Sequence, residues 1–110
     1  QNAMTQYRTL DDMAEEYFHD HPEEINPFLD EIFESYNEHR NLGALLASLR
    51  IIARVRGISE IAAAAGISRQ GLQKALSAKG NPRLDTLGLI LGGMGYRLAV
   101  KPLNRPLNRP

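Results

Sequence analysis

Residues 61–76 read IAAAAGISRQGLQKAL, and this stretch limits the possible folds more than any other. Four successive alanines favour helix, and their methyl side chains let a second helix come close. Gly66 breaks that helix. Glycine takes a positive φ freely, whereas a residue with a Cβ loses about 1 kcal/mol there. Ser68 is placed to cap a second helix running to about Ser77. In that helix Leu72, Ala75 and Leu76 are interleaved with Arg69, Gln70, Gln73 and Lys74. The spacing predicts two short helices joined by a tight glycine turn, the first built to be packed against and the second to keep a polar face free. Ile61 and Leu72 are expected in a shared core, Ala62 and Ala65 where the helices cross, and Ile67 at the corner.

The flanking sequence is helical too. Leu10, Met13, Ala14, Tyr17 and Phe18 share one helical face before Pro22 interrupts. Ile25, Phe28, Leu29, Ile32, Phe33 and Tyr36 form the stripe of a second helix, with Pro27 in its first turn and Asn26 as its cap. Leu42, Leu45, Leu46, Leu49, Ile52 and Ala53 define a third, which Gly57 ends. Ser59 is expected to open the alanine-rich helix. After a loop over 78–82, residues 84–94 read as a last helix, weakened by Gly88, Gly92 and Gly93. Tyr96, Leu98 and Val100 alternate with Arg97, Ala99 and Lys101, which predicts a short strand. The ending PLNRPLNRP repeats a four-residue unit too rich in proline to pack, and reads as extended.

Net charge is zero over 110 residues, but the charges are segregated. Residues 1–40 hold eleven acidic groups against two arginines, a balance of −9. Residues 41–110 hold two acidic groups against eleven basic ones, a balance of +9. Such a split suggests two different partners, one of them polyanionic. The acidic segment either takes a basic partner or packs on the remainder, and one face can serve each role. Hydrophobic residues, at 43%, suffice for one core. The absence of cysteine excludes disulfides and thiolate metal sites and suits a reducing cytoplasm. No apolar run approaches the roughly 20 residues of a membrane span, and no signal peptide is expected. Gln1–Ala3 before Met4 read as a cloning remnant.

Catalytic chemistry finds no support. His19, Asp20, His21 and Glu23 lack a third compelling metal ligand, and the carboxylates are scattered over helix faces rather than paired for acid–base work. No enzyme activity, metal or cofactor is expected. The polar face of the second short helix is different, because its residue types match what a helix end needs in the major groove of DNA. Arg69 can grip guanine by two hydrogen bonds, and Gln70 and Gln73 can do the same to adenine. Ser68 caps the helix beside them, and Lys74 suits a phosphate. Lys79, Asn81 and Arg83 follow in the loop. Arg83 precedes a helix N-terminus that would welcome a phosphate. Gly71 either lets the DNA backbone approach closely or is simply tolerated. Arg50, Arg54 and Arg56 give the third helix a basic face, which is ordinarily just solvated. A plain solvated helical hairpin is the competing reading of the whole pattern.

The run IARVRGISEIAAAAGISRQGLQKALSAKGNPRLDTL, Ile52 to Leu87, resembles the addiction-module antidote family, a HigA-like branch of the Xre/Cro-type helix-turn-helix proteins. The likeness extends from about Ala14 to Val100, and its most particular part is GISRQGLQKALSAKGNPRLDTL. The resemblance implies a transcriptional repressor that also neutralises a RelE-like ribonuclease toxin. A repressor of this type without a toxin is the alternative. The expected fold is mostly α: a five-helix Xre/Cro-type (lambda-repressor-like) helix-turn-helix domain over 41–101, an acidic helical arm over 4–40, and a flexible tail over 102–110. The strand Tyr96–Lys101 is expected to pair with its copy in a cytoplasmic homodimer. Two recognition helices about 34 Å apart would then match a palindromic operator in double-stranded DNA.

Overall fold

The computed structural model describes residues 8–103, in which six α-helices pack around one core. The first two are α1, Leu10–Asp20, and α2, Ile25–His39, joined by a 3-10 turn at Pro22–Glu24. Then come α3, Leu42–Arg56, and α4, Ile58–Ala65. Helix α5 covers Arg69–Ala75 and α6 covers Leu84–Gly93. None of the described helices is long and apolar enough to cross a membrane.

Each boundary has a local cause. The Thr9 hydroxyl accepts from the Asp12 N–H at 2.9 Å, while the Asp12 carboxylate accepts from the Thr9 N–H at 3.2 Å, a reciprocal cap that starts α1. Asn41 caps α3 by accepting from the Ala44 N–H at 3.0 Å. Arg40 ends α2 at φ 57°, where a residue with a Cβ is strained. Gly57, at φ 105°, separates α3 from α4. It is also the residue that precedes α4, so that helix begins at Ile58 and does not need Ser59 as its cap. Likewise Asn26 does not cap α2. The 3-10 turn at Pro22–Glu24 feeds directly into the helix, and Asn26 already lies inside it.

The core is continuous from arm to C-terminal helix. Phe18 of α1 and Ile25 and Leu29 of α2 join Leu45, Leu46, Leu49, Ile52, Ile61, Leu72, Leu76, Ile90, Leu91 and Met94 in one cluster. The acidic segment therefore turns its aromatic and aliphatic stripe onto α3. Helix α1 departs from the expected pattern. Of its five apolar residues only Phe18 is buried, and Leu10, Met13 and Tyr17 face outward. Helix α6 packs chiefly on α4, with Gly93 at the closest approach: a Cβ there would stand 2.7 Å from the Ile61 carbonyl oxygen. The glycine that sequence reads as a weak helix former is the one that lets the two helices touch.

Residues 41–101 hold four helices, not the five expected. Gly95, at φ 93°, turns the chain off α6, and from Tyr96 it runs without helix or ladder. The strand expected at Tyr96–Lys101 is likewise absent within the single chain, because no other described segment is extended beside it to complete a ladder. Most of the PLNR repeat lies outside the described residues.

Candidate nucleic-acid interface

The turn between α4 and α5 is a complete helix stop. Gly66 adopts the left-handed conformation at φ 74°, ψ 26°. Its N–H donates to the Ala63 carbonyl at 3.2 Å, and the Ile67 N–H donates to the Ala62 carbonyl at 3.0 Å. This pair of bonds is a Schellman motif, which satisfies the last carbonyls of α4 and fixes where the chain goes next. Ile67, half-buried, packs on the core from the corner. Ser68 is extended, and its hydroxyl accepts from the Gly71 N–H at 2.9 Å, which starts α5. A Cβ on Gly71 would stand 3.0 Å from that hydroxyl oxygen, so the bare glycine leaves the cap room.

Helix α5 is then divided cleanly. Leu72 and Leu76 are buried, whereas Ser68, Arg69, Gln70, Gln73 and Lys74 are all exposed. One contact is not legible in the sequence: the Arg69 guanidinium donates to the Ser59 hydroxyl at 2.6 Å. Ser59 lies in the first turn of α4, so the bond ties the starts of the two helices together. The only hint in the sequence was a hydroxyl ten positions before an arginine, across a turn.

Lys79, Asn81 and Arg83 are exposed in the connection to α6. That connection folds back on the end of α5. The Gly80 N–H donates to the Ser77 carbonyl at 2.9 Å, and a Cβ on Gly80 would collide with the Ala75 carbonyl. Arg83 stands differently from the other two. Its guanidinium faces the Asp85 carboxylate at 3.5 Å, and Asp85 accepts from the Thr86 N–H at 2.8 Å. The start of α6 thus already holds a negative group, which opposes the phosphate expected there. Among the described residues, Arg69, Lys74 and Lys79 form no ion pair, so their charges are free for a polyanion.

The three arginines of α3 are otherwise engaged. Arg50 donates to the Leu76 carbonyl and so holds the end of α5. Arg54 pairs with Glu15 at 2.9 Å and Asp12 at 3.3 Å. Arg56 donates to the Met94 carbonyl at 3.0 Å and the Tyr96 hydroxyl at 2.9 Å, and the same hydroxyl donates to Asn26. Arg50 thus holds the end of α5, Arg54 ties α1 to α3, and Arg56 holds the chain that leaves α6. Thr9 holds the Asp12 carboxyl below the usual aspartate range through its backbone N–H and its side chain, and Arg54 adds to the effect.

The chain belongs to the family described as "Probable addiction module antidote protein", whose model matches residues 7–102. An uncharacterized protein of Haemophilus influenzae is 40% identical over 79 residues, covering 72% of this chain and 77% of the relative. No solved structure matches the chain.

Proposed function

We propose that this member of the antidote family is a sequence-specific DNA-binding antitoxin that represses its own operon and neutralises a RelE-like ribonuclease toxin. One observation carries the DNA-binding half: the exposed face of α5 presents Arg69, Gln70, Gln73 and Lys74 together, with no acidic group on that helix to offset them. Arg69 and the two glutamines read base edges in the major groove. Lys74, Lys79 and Asn81 hold phosphates and set register. Ser68, with its oxygen engaged by the cap, has its hydroxyl proton left to donate to a phosphate. Arg83 contributes least, because Asp85 competes for it.

A homodimer makes two such helices read a palindrome. The segment Tyr96–Lys101 supplies the pairing edge in this reading. Its side chains Leu98 and Val100 are exposed in the single chain and would be covered by the second copy. The antitoxin half rests on family membership, which implies a toxin partner in general.

Two experiments test the proposal. Nuclease footprinting on DNA upstream of the chain's own reading frame is expected to reveal one protected palindrome. Co-expression with the adjacent reading frame is expected to yield a complex and to relieve that product's toxicity. Protection without complex formation would leave a repressor and remove the antitoxin role.

A further inference from the structure

The apolar face of α1 is only partly covered within the chain. Phe18 turns inward and meets Phe28, with ring centroids 4.6 Å apart. Along the outer edge of the same apolar face, Leu10 is 79% exposed, Met13 47% and Tyr17 46%, and the Tyr17 ring stands edge-on to Phe18 at 5.4 Å. These three stand at i, i+3 and i+7, so they form one continuous apolar stripe along a helix. Glu16 and Asp20 flank it and are also exposed. A stripe left outside and bordered by carboxylates is the mark of an interaction surface.

The stripe is also held in place. The reciprocal cap at Thr9 and Asp12 fixes the start of α1. The pairs from Arg54 to Asp12 and Glu15 pin its flank to α3. Tyr17 is ordered by stacking on His21, with centroids 4.3 Å apart and planes within 20°. An ordered stripe loses little side-chain entropy when it is covered.

Charge identifies the occupant. Residues 1–40 carry −9, and α1 alone contributes Asp11, Asp12, Glu15, Glu16 and Asp20. DNA is repelled by such a surface and is served by α5. We propose that the Leu10–Met13–Tyr17 stripe with its Glu16 and Asp20 border docks a cationic amphipathic segment of the toxin partner. The docking rests on the antitoxin reading above and names the surface it uses. Apolar contact along the stripe supplies affinity, and the carboxylate border steers a basic partner into register.

The test uses the full chain co-expressed with the product of the adjacent reading frame. Two double variants are made at exposed positions, Leu10→Ser with Met13→Ser, and Glu16→Lys with Asp20→Lys. Helicity and melting temperature report that each still folds. The expected result is at least a ten-fold weaker complex in both, with the charge-reversed pair also losing its salt dependence, and with DNA binding unchanged. A wild-type complex that both variants retain at full affinity overturns this docking surface and leaves the antitoxin reading intact. If the wild-type chain forms no complex, the antitoxin reading fails and the surface fails with it. A change in sedimentation mass of the variants alone would show that the stripe is covered by a second copy instead, and would overturn the proposal.

Discussion

The Ser59 hydroxyl accepts a 2.6 Å hydrogen bond from the Arg69 guanidinium, linking the first turn of α4 to the first residue of α5. A free arginine side chain carries about 2 kcal/mol of rotamer entropy, so holding one reduces what must be lost on contact with a base. Ser59→Ala is expected to weaken binding to the preferred duplex several-fold while leaving binding to a scrambled duplex unchanged. Ser59→Thr, which keeps the hydroxyl, should restore the preference. Equilibrium titration of the two duplexes at one salt concentration reads both effects.

Lys74 should behave differently from Arg69. It is exposed, forms no ion pair, and is expected to hold a phosphate. Lys74→Ala should weaken binding to all duplexes about equally and lower the slope of log affinity against log salt by about 1. Titrations between low and moderate salt measure that slope directly.

Gly92 and Gly93 are neighbours with opposite roles. Nothing lies within 4 Å of a Cβ built on Gly92, whereas one on Gly93 would press on the Ile61 carbonyl at 2.7 Å. Gly92→Ala is expected to stabilise the fold by up to about 1 kcal/mol through helix propensity. Gly93→Val is expected to cost about 1–3 kcal/mol, because α6 must move off α4. Urea denaturation followed by circular dichroism at 222 nm measures both.

Much of the fold was legible because the deciding chemistry is local. Gly66 and Ser68 announce the turn, since a left-handed stop and a hydroxyl cap each involve only the next few residues. The stripes of α2 and α3 follow from their period. What escaped depends on contacts distant in sequence. Arg56 reaches Tyr96 across 40 positions, and Asn26 meets Tyr96 across 70, so neither partner could be named from spacing. Gly93 looked like a weak helix former because its neighbour, Ile61, belongs to another helix. The outward turn of Leu10, Met13 and Tyr17 escaped for a related reason: periodicity finds an apolar face but does not say what covers it. In the candidate site, the exposed face of α5 was readable, whereas the Ser59 contact and the Asp85 group beside Arg83 were not.

Acid should loosen the arm. The Asp12 carboxyl is held below its ordinary value, first by Thr9 and then by Arg54. A depressed folded value means stability that is present above the unfolded aspartate value of about 3.9 and is lost as pH falls through the folded one. Thermal melts from pH 7 down to pH 2 should show this loss setting in below about pH 4. Asp12→Asn removes the titrating group, so its melting temperature should be lower at neutral pH and fall less steeply in acid.

The tip of α5 is proposed to read base pairs. The most direct test is a competition gel shift on the DNA upstream of the chain's own reading frame, with wild-type protein and with Arg69→Ala and Gln70→Ala. Wild-type protein is expected to prefer one palindromic site over scrambled duplex, and each variant to lose at least ten-fold of that preference while keeping its salt-sensitive background binding. Wild-type protein with no preference for any site, or variants that keep it in full, would contradict base reading by α5.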